Sequence, residues 1–307
     1  MAAHLTVQSV DLSPLIYLRA RGLEADSFLQ GQLSSDLRQL TGTRAQISSY
    51  NSPKGRMLAV AHLIRAGDSV LIELHRSVAD SVLKRLRMFV LRSKLTLDDA
   101  SAEISAVGLL GDDAAAVLAG AGLPVPLQAL DCADDKQRAL TVMRRFGEAP
   151  RYSIVGPATA VAKLATGLAP ALPYTAWRRA DIEAGVPVVY PETSDHFVPQ
   201  MANLDRLGGI SFDKGCYTGQ EIVARLHYLG QLKRRLFVCR VDGAAPLSGS
   251  DIVAGEPPAP AGEVVDAVDA GDGSSRVSVV LQLAQAASAD LRLVDGRSLH
   301  LRAPLPT

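Results

Sequence analysis

The sequence has few cysteines, no long apolar run and no excess of either charge. Its three cysteines (Cys132, Cys216 and Cys239) are widely spaced, odd in number and without a C-x-x-C pair, and neither His62 nor His196 has a partner at metal-ligand spacing. This pattern argues against a disulfide framework and a zinc site and is typical of a reducing compartment. Three scattered thiols also fall short of the Cys₄ set that holds an iron–sulfur cluster. We therefore expect a cytoplasmic protein without a bound metal.

The composition also argues against membrane and polyanion partners. Lys plus Arg and Asp plus Glu number 32 each, so the overall charge does not attract nucleic acid or anionic lipid. No window approaches the roughly 18 uncharged apolar residues of a transmembrane helix. The initial MAAHLTVQSVDLS lacks the basic and apolar regions of a secretory signal. With 48% hydrophobic and 21% charged residues over 307 positions, the chain has globular composition and enough length for more than one packed domain.

Hydrophobic periodicity predicts alternating helices and strands before residue 170. Leucines at helical spacing (Leu29, Leu33, Leu37 and Leu40) predict one amphipathic helix over residues 23–40. Ser77, with Asp80 three residues later, predicts the N-cap of the next helix. Further helices are predicted over 112–119 and 158–168, and strands over 45–50, 56–65, 69–75, 103–111, 140–146 and 152–155. This order predicts an α+β fold with helices on one face of a mainly antiparallel sheet.

The pattern changes after Arg235. Four strand-like runs cover residues 236–241, 263–269, 276–283 and 291–301, joined by connections rich in Gly, Pro and Asp. Short strands with little helix predict a small C-terminal β-barrel or sandwich, in which residues 257–260 form a surface loop. The predicted domains are therefore residues 1–235 and 236–307.

Glu183 is the first residue suited to chemistry. It lies in the last turn of a predicted helix over residues 177–184, which Gly185 ends. The helix dipole disfavours a carboxylate there by roughly a few tenths of a kcal/mol, so a donor partner would stabilise it. The alternatives are a solvated surface glutamate and an ion pair with Arg179 four residues earlier.

The second candidate is the segment KGCYTGQE, residues 214–221. Its Thr218 and Glu221 form a T-x-x-E capping box, which predicts a helix starting after Thr218. Cys216 then lies two residues before the N-cap and close to Lys214. The positive end of the helix and the charge of Lys214 both favour the thiolate form of Cys216. The alternative for Cys216 is a small buried apolar residue. We interpret Cys239 as a core residue, and nothing in the sequence indicates a function for Cys132.

The third candidate is a basic cluster between residues 225 and 235. It could bind a polyanion, such as a polyglutamyl tail or RNA phosphates. The alternative is the solvated rim of an interdomain junction. The cluster consists of Arg225, His227, Lys233, Arg234 and Arg235, with Tyr228 among them.

KGCYTGQE also resembles the signature of the YgfZ-type folate-binding proteins. These bacterial proteins are related to a mitochondrial iron–sulfur assembly factor and share the fold of the glycine-cleavage T protein. The resemblance extends in the expected order from about residue 15 to about residue 235. The other segments that carry it are FLQGQLSSD (28–36), SPKGR (52–56), IEAGVP (182–187), PQMANLD (199–205) and GISF (209–212).

The resemblance implies a fold and a ligand. The fold is the three-part, cloverleaf-like aminomethyltransferase fold, with two interleaved α+β subdomains around a central cavity for tetrahydrofolate or another folate derivative. Glu183 would accept hydrogen bonds from the N–H donors of the pterin in a charge-assisted manner. Tyr217 would lie beside the cavity, and Lys214, Gln200 and Asn203 are further candidate folate-binding residues.

The resemblance also implies a role. Cys216 would be the distinctive thiol of the family, and Arg225, with residues 233–235, is a candidate for binding the glutamate tail of the folate. The expected function is that of an accessory protein for the assembly, maintenance or repair of iron–sulfur enzymes, including those that thiolate tRNA. Its expected partners are folate and iron–sulfur enzymes or assembly proteins, without direct contact to RNA.

One departure separates the chain from the aminomethyltransferase. That enzyme carries carboxylates shortly after the turn of its first hairpin, whereas the residues after Gly55 here are RMLAV. Proton transfer without a positioned carboxylate is typically slower by ~10²–10⁴-fold, so we do not expect glycine-cleavage activity. The alternative functions are a folate-dependent one-carbon transferase or demethylase that uses Asp36 or Asp181, and RNA binding through residues 225–235.

Overall fold

The computed structural model describes residues 7–168, 171–286 and 290–302, which contain six α-helices and seventeen strands. The helices are α1 (Ala25–Gln30), α2 (Arg76–Val90), α3 (Ala114–Gly120), α4 (Ala158–Ala165), α5 (Tyr174–Glu183) and α6 (Gln220–Tyr228). Three short 3-10 helices cover Leu37–Gln39, Pro191–Thr193 and Pro199–Ala202.

The strands carry the labels β1 to β17 in chain order. They are β1 (Gln8–Asp11), β2 (Leu15–Arg21), β3 (Gln46–Asn51), β4 (Met57–Ala66), β5 (Ser69–His75), β6 (Thr96–Asp99), β7 (Ile104–Leu110), β8 (Cys132–Asp135), β9 (Leu140–Arg144), β10 (Arg151–Pro157), β11 (Ala171–Leu172), β12 (Arg234–Asp242), β13 (Asp251–Ala254), β14 (Ala259–Asp269), β15 (Ser274–Gln282), β16 (Arg292–Leu293) and β17 (Leu299–Leu301).

The chain divides into two compact units, each built from separate stretches. The first unit consists of Met1–Leu29, Leu37–Ile47 and Ala61–Trp177. The second consists of Gln30–Asp36, Ser48–Val60 and Arg178–Thr307. The predicted boundary at residue 235 stays a prediction.

A six-stranded sheet of order β11-β1-β7-β10-β9-β8 belongs to the first unit. Its described pairs are antiparallel except β1 with β11, as the sequence predicts for a mainly antiparallel sheet. Apolar side chains of β7, β9 and β10 pack with α3 and α4 in one core, whose fully buried members include Leu109, Leu118, Val142 and Ile154. The predicted α+β fold is therefore confirmed in this unit.

A five-stranded sheet has the order β3-β4-β5-β2-β6. Its hairpin β4–β5 closes with Ala66 opposite Ser69 around Gly67, and confirms the hairpin predicted from residues 56–75. The spacing also predicts that the following helix α2 buries Val78, Val82, Leu86 and Val90. The first three are buried, whereas Val90, at the end of the helix, is half-buried. The predicted N-cap at Ser77 is wrong. The helix starts at Arg76, because the side chain of His75 accepts the Ser77 N–H and caps the helix.

The helix predicted over residues 23–40 is also wrong. Helix α1 ends at Gln30, and the next residues leave the helical path to pair with β3. Leu33 forms an isolated bridge with Tyr50, and Ser34 N donates to Ser49 O at 3.0 Å. The hydroxyl of Ser34 then donates to Gly209 O at 2.6 Å. These bonds with distant residues replace the local bonds that would have continued the helix.

A buried ionic cluster stabilises the first unit. The carboxylate of Glu73 accepts hydrogen bonds from Arg145 Nη1 at 2.7 Å and from the hydroxyl of Tyr17 at 2.8 Å. Arg145 also contacts His62 Nδ1 at 3.1 Å, and all four side chains are buried. Burial alone would raise the pKa of Glu73, but Arg145 and His62 outweigh it and lower that pKa. His62 is therefore a core residue.

The C-terminal part of the second unit is a six-stranded antiparallel sheet of order β16-β13-β14-β15-β12-β17, curled into a half-barrel. Apolar residues such as Val264, Val277 and Val279 form its core. Two predicted segments are wrong in detail. The run 291–301 is two strands, since Leu293 N bonds back to Arg297 O, and the predicted loop 257–260 already contains the start of β14. Strand β13 is too short to be recognised from its sequence.

Candidate functional site

The seven residues that the sequence gives as site candidates all belong to the second unit; they are Glu183, Gln200, Asn203, Lys214, Cys216, Tyr217 and Arg225. In the KGCYTGQE segment, Lys214 is buried, with 5% of its surface exposed. Its ammonium donates hydrogen bonds to Leu33 O at 2.8 Å and Ser35 O at 2.7 Å. The same nitrogen lies 5.1 Å from the centre of the Tyr217 ring. Lys214 therefore joins the segment to the loop after α1, and its charge is directed into the protein.

The predicted capping box of Thr218 with Glu221 is wrong. Helix α6 starts at Gln220, and its N-cap is Gly219 with φ of 79° and no side-chain cap bond. A β-branched residue rarely adopts this left-handed conformation, so glycine rather than Thr218 occupies the cap. The side chain of Gln220 accepts from Tyr217 N at 3.3 Å and donates to Lys214 O at 3.4 Å, which closes the turn.

Cys216 lies on the exposed side of this turn, three residues before the N-cap. The alternative interpretation as a buried core residue is therefore wrong. Cys132 and Cys239 are buried, and burial is the largest of the effects that raise the pKa of each thiol, to about 12. Of the three thiols, Cys216 alone is open to reagents and partners.

Several buried polar atoms near this segment have no hydrogen-bond partner among the described residues. They include the hydroxyl of Tyr217, both amide atoms of Asn51 and Oε1 of Gln200. Burial raises the pKa of Tyr217 to about 12, so its hydroxyl is a neutral donor at pH 7. Buried polar groups are nearly always paired, with water or a ligand where protein does not suffice. A polar ligand or bound water is therefore compatible with these positions.

Gln200 and Asn203 belong to a network that fixes the start of β12. Gln200 Nε2 donates to Val223 O at 2.7 Å, and Asn203 Nδ2 donates to Leu236 O at 2.8 Å. Arg235 donates to Asn203 Oδ1 at 3.2 Å and forms a bidentate pair with Asp205 at 2.6 and 2.8 Å. Gln200 Oε1 can therefore still accept a hydrogen bond, whereas both polar side-chain atoms of Asn203 already have partners.

Glu183 lies in the last turn of α5, as the sequence predicts, although the helix covers Tyr174–Glu183 rather than 177–184; Gly185 follows with φ of 67°. The carboxylate is 40% exposed, and its recorded ion pair is with Arg276 Nε at 3.7 Å. Arg276 also bonds Ser274 and Asp272 at 2.8 and 3.2 Å. The alternative pair with Arg179 is not formed in the described structure, because that guanidinium donates to Ala270 O. Glu183 is thus accessible and only loosely paired.

The basic cluster has exposed members and half-buried ones, Arg234 and Arg235. Arg225, His227 and Lys233 are exposed, whereas Arg235 belongs to the network around Asn203. The ring of His227 stacks on Phe212 with centroids 3.7 Å apart. Arg225 and Lys233 are exposed members whose charges are open to a polyanion.

The carboxylates considered for one-carbon chemistry are not exposed. Asp36 is 6% exposed and accepts from Gln30 Nε2 at 2.9 Å, and Asp181 is half-buried.

The sequence analysis missed Asp195, whose Oδ1 accepts from Ser52 Oγ at 2.6 Å and whose N–H donates to Met57 O at 2.9 Å. A carboxylate therefore lies at the turn after β3. The backbone of Asp195 has a φ of 64°, which is uncommon for a residue other than glycine. No periodic pattern in the sequence indicates this residue.

Within the described ranges, no three His, Cys, Asp or Glu side chains are grouped closely enough to hold a metal ion. The helices of the same ranges include none with the length and apolar character needed to cross a bilayer.

Comparison with known proteins gives the family. The tRNA-modifying protein YgfZ of Colwellia psychrerythraea is 31% identical over 276 residues, which cover 89% of this chain and 84% of that protein. The protein of the same name from Serratia proteamaculans is 32% identical over 313 residues, which cover 99% of this chain and 94% of that protein. The chain belongs to the YgfZ family. No family profile matches it.

This YgfZ-family chain has the fold expected from its sequence. Glycine cleavage system aminomethyltransferase T from Bartonella henselae superposes with a TM-score of 0.79, over 98% of this chain and 86% of that one. The identity is 18%, so this likeness concerns the fold alone. The aminomethyltransferase fold, and the YgfZ resemblance carried by KGCYTGQE, are both confirmed.

Proposed function

We propose that this chain binds tetrahydrofolate and acts in the cytoplasm as an accessory protein for the assembly, maintenance or repair of iron–sulfur enzymes, including those that thiolate tRNA. Two comparisons support the direction of this proposal. Relatives of the chain are named tRNA-modifying proteins, and its fold is that of an aminomethyltransferase of the glycine cleavage system. The YgfZ family, to which the chain belongs, combines the name of a tRNA-modifying protein with this aminomethyltransferase fold.

The observation that carries the proposal is the state of Glu183. Its carboxylate lies at the C-terminal end of α5, where the helix dipole disfavours a negative charge. Arg276 approaches only to 3.7 Å, so the carboxylate retains lone pairs for other donors. Tetrahydrofolate, when bound, supplies neighbouring N–H donors on its pterin and nitrogens that carry one-carbon units. Glu183 would accept two of those N–H groups in a bidentate, charge-assisted manner.

Other residues have supporting roles in the proposal. Tyr217 offers a buried neutral hydroxyl, and Gln200 offers a buried oxygen without a partner among the described residues. Arg225 would attract the carboxylates of the glutamate tail from an exposed position on α6. Lys214 donates to two backbone carbonyls, and both polar atoms of Asn203 are engaged, by Leu236 O and by Arg235. These two residues would therefore shape the folate site rather than bind the ligand. Cys216 would be the thiol that acts on, or is presented to, the client enzyme.

Calorimetric titration with tetrahydrofolate tests the anchor. We expect micromolar binding by the wild type and a loss of about tenfold or more, ~1.4 kcal/mol, in Glu183→Gln. The matched control is Glu192→Gln, an exposed glutamate of the same unit, whose affinity should equal that of the wild type. No binding by the wild type would overturn the folate proposal. Equal losses in both variants would remove Glu183 as the pterin anchor.

A second test addresses the client. Cells that carry Cys216→Ala should lose the activity of a tRNA-thiolating iron–sulfur enzyme, while the variant protein accumulates and binds tetrahydrofolate normally. Cys239→Ala is the control, since that thiol is buried in β12. Normal enzyme activity in the Cys216→Ala cells would contradict the proposed role of this thiol.

A further inference from the structure

The first unit contains a cavity of about 460 Å³ whose walls share no residue with the candidate folate site. Its volume lies within the roughly 300–1,000 Å³ typical of small-molecule sites. The wall is formed by β1, the loop after it, β7, the N-terminus of α2 and one face of α4. All of these elements belong to the first unit, so the cavity is complete within one compact body.

Small side chains on α4 leave this space open. The helix contributes Ala158, Val161, Ala162 and Ala165 to the wall, which are spaced three and four residues apart and therefore lie on one helical face. Three of these four are alanines. The facing strand β7 contributes Ala106 and Val107, among others, and the loop after β1 contributes Leu12. The wall along α4 is therefore apolar and would accept an aliphatic or aromatic side chain, while Ser9, Ser101 and Ser105 add hydroxyl groups elsewhere in the lining.

One end of the cavity carries two opposite charges. The charged residues of its wall are Asp11 and Arg76. Both bind the same residue: Arg76 Nη2 donates to Ser13 O at 2.7 Å, and the Asp11 carboxylate accepts from Ser13 N and Ser13 Oγ, each at 2.9 Å. The two charges thus lie within the reach of a single residue. A guanidinium has five N–H donors and a carboxylate about four lone pairs, so both retain capacity for a ligand.

We propose that this cavity binds a small zwitterion with an apolar side chain, that is, a free apolar α-amino acid. The carboxylate of the ligand pairs with Arg76, its ammonium group pairs with Asp11, and its side chain occupies the space along α4. A simple anion would pair with Arg76 but be repelled by the Asp11 carboxylate. A simple cation would pair with Asp11 but be repelled by Arg76. A zwitterion is the class that satisfies both charges and the apolar wall together.

Binding of L-phenylalanine and L-leucine, measured by calorimetry and by saturation-transfer NMR on the full chain, tests the proposal. We expect both to bind with dissociation constants below ~10 mM. Phenethylamine lacks the carboxylate and 3-phenylpropionate lacks the ammonium group, so each should bind at least about tenfold more weakly. Arg76→Met should abolish the preference for L-phenylalanine over phenethylamine. Failure of both amino acids to bind would overturn the proposal, as would equal binding of 3-phenylpropionate.

Filling the cavity provides a test with a matched control. Ala165→Phe and Ala162→Phe each place a large side chain at the cavity wall and should weaken L-phenylalanine binding by at least about tenfold. Thr159→Phe introduces the same side chain at an exposed position of the same helix, outside the wall, and should leave binding within about twofold. Circular dichroism melting curves establish that all three variants fold. Unchanged binding in both wall variants, or an equal loss in the control, would overturn the location of the site.

Discussion

A Cβ atom on Gly219 would lie only 2.7 Å from Cα of Gly55. It would also lie 2.5 Å from Ser52 O, and both glycines have positive φ, of 79° and 70°. The N-cap of α6 and the turn after β3 therefore touch through their backbones, with no room for a side chain. This contact sets the position of the KGCYTGQE segment.

Gly219→Ala is expected to destabilise the protein by roughly 2–4 kcal/mol, because it combines left-handed strain with a backbone clash. Urea unfolding followed by circular dichroism measures the change. Gly215→Ala is the matched control in the same segment: apart from its chain neighbours, no atom of the described residues lies within 4 Å of its added Cβ. We expect the control to change stability by less than about 0.5 kcal/mol. A similar loss in both variants would mean that the contact with Gly55 is not the cause.

Lys214→Met is expected to lower the free energy of unfolding by roughly 2–4 kcal/mol, since Leu33 O and Ser35 O would lose buried, charge-assisted donors. Lys233→Met, which removes an exposed lysine of the same unit, should change it by less than about 0.5 kcal/mol. Urea unfolding curves of the two variants give the comparison. If Lys214 instead served only to bind ligand, its replacement would leave the curve of the ligand-free protein unchanged.

Thiol titration with an aromatic disulfide reagent should count one reactive cysteine in the native protein and three after denaturation. Cys216 is exposed, whereas Cys132 and Cys239 are buried with pKa values raised to about 12. The measurement at pH 8 follows the absorbance of the released thiolate, and Cys216→Ala should abolish the native signal. Rapid reaction of a second thiol in native protein would contradict the burial of the other two.

Glu73→Gln is expected to cost about 3–5 kcal/mol at neutral pH, because it leaves Arg145 buried without a counter-charge. The folded pKa of Glu73 lies below its unfolded value of about 4.3, so the stabilisation is fully present above that value and is lost as the pH falls through the folded pKa. Unfolding measured from pH 7 to pH 3 should therefore show the difference between wild type and variant shrinking below about pH 4.

The control for this cluster is Glu103→Gln, an exposed carboxylate that pairs with Arg19. It should leave stability at pH 7 nearly unchanged. A difference between wild type and Glu73→Gln that stays constant down to pH 3 would mean that the ionised carboxylate is not what stabilises the fold.

Local patterns in the sequence predicted the elements that depend on local bonds. The β4–β5 hairpin follows from the two strand-like runs on either side of Gly67, and the end of α5 follows to within one residue from Gly185. The helix over residues 23–40 failed for the opposite reason. Leu29, Leu33 and Leu37 are all buried, but they belong to a helix, a β-bridge and a 3-10 helix in turn. Burial at helical spacing does not reveal pairing with a distant strand.

Sequence reasoning could select candidate site residues by their type, but it could not predict their contacts. Sequence reasoning selected Glu183, Cys216 and Lys214, yet the partners of Glu183 and Lys214 are Arg276 and two backbone carbonyls that are remote in sequence. A lysine beside a cysteine suggests activation of the thiol, whereas burial of that lysine is visible only in three dimensions. Asp195 was missed because its contact with Ser52 is visible only in three dimensions.

The interleaving of the two units has a consequence for synthesis on the ribosome. The second unit needs residues 30–36, 48–60 and 178 onwards, so its early stretches must wait while 61–177 are translated. Those intervening 117 residues take roughly 6–23 s at about 5–20 residues per second. During that interval the SPKGR turn and the loop that binds Lys214 are on a nascent chain without their partners. Slower translation of the middle of the message would lengthen their exposure to chaperones and proteases.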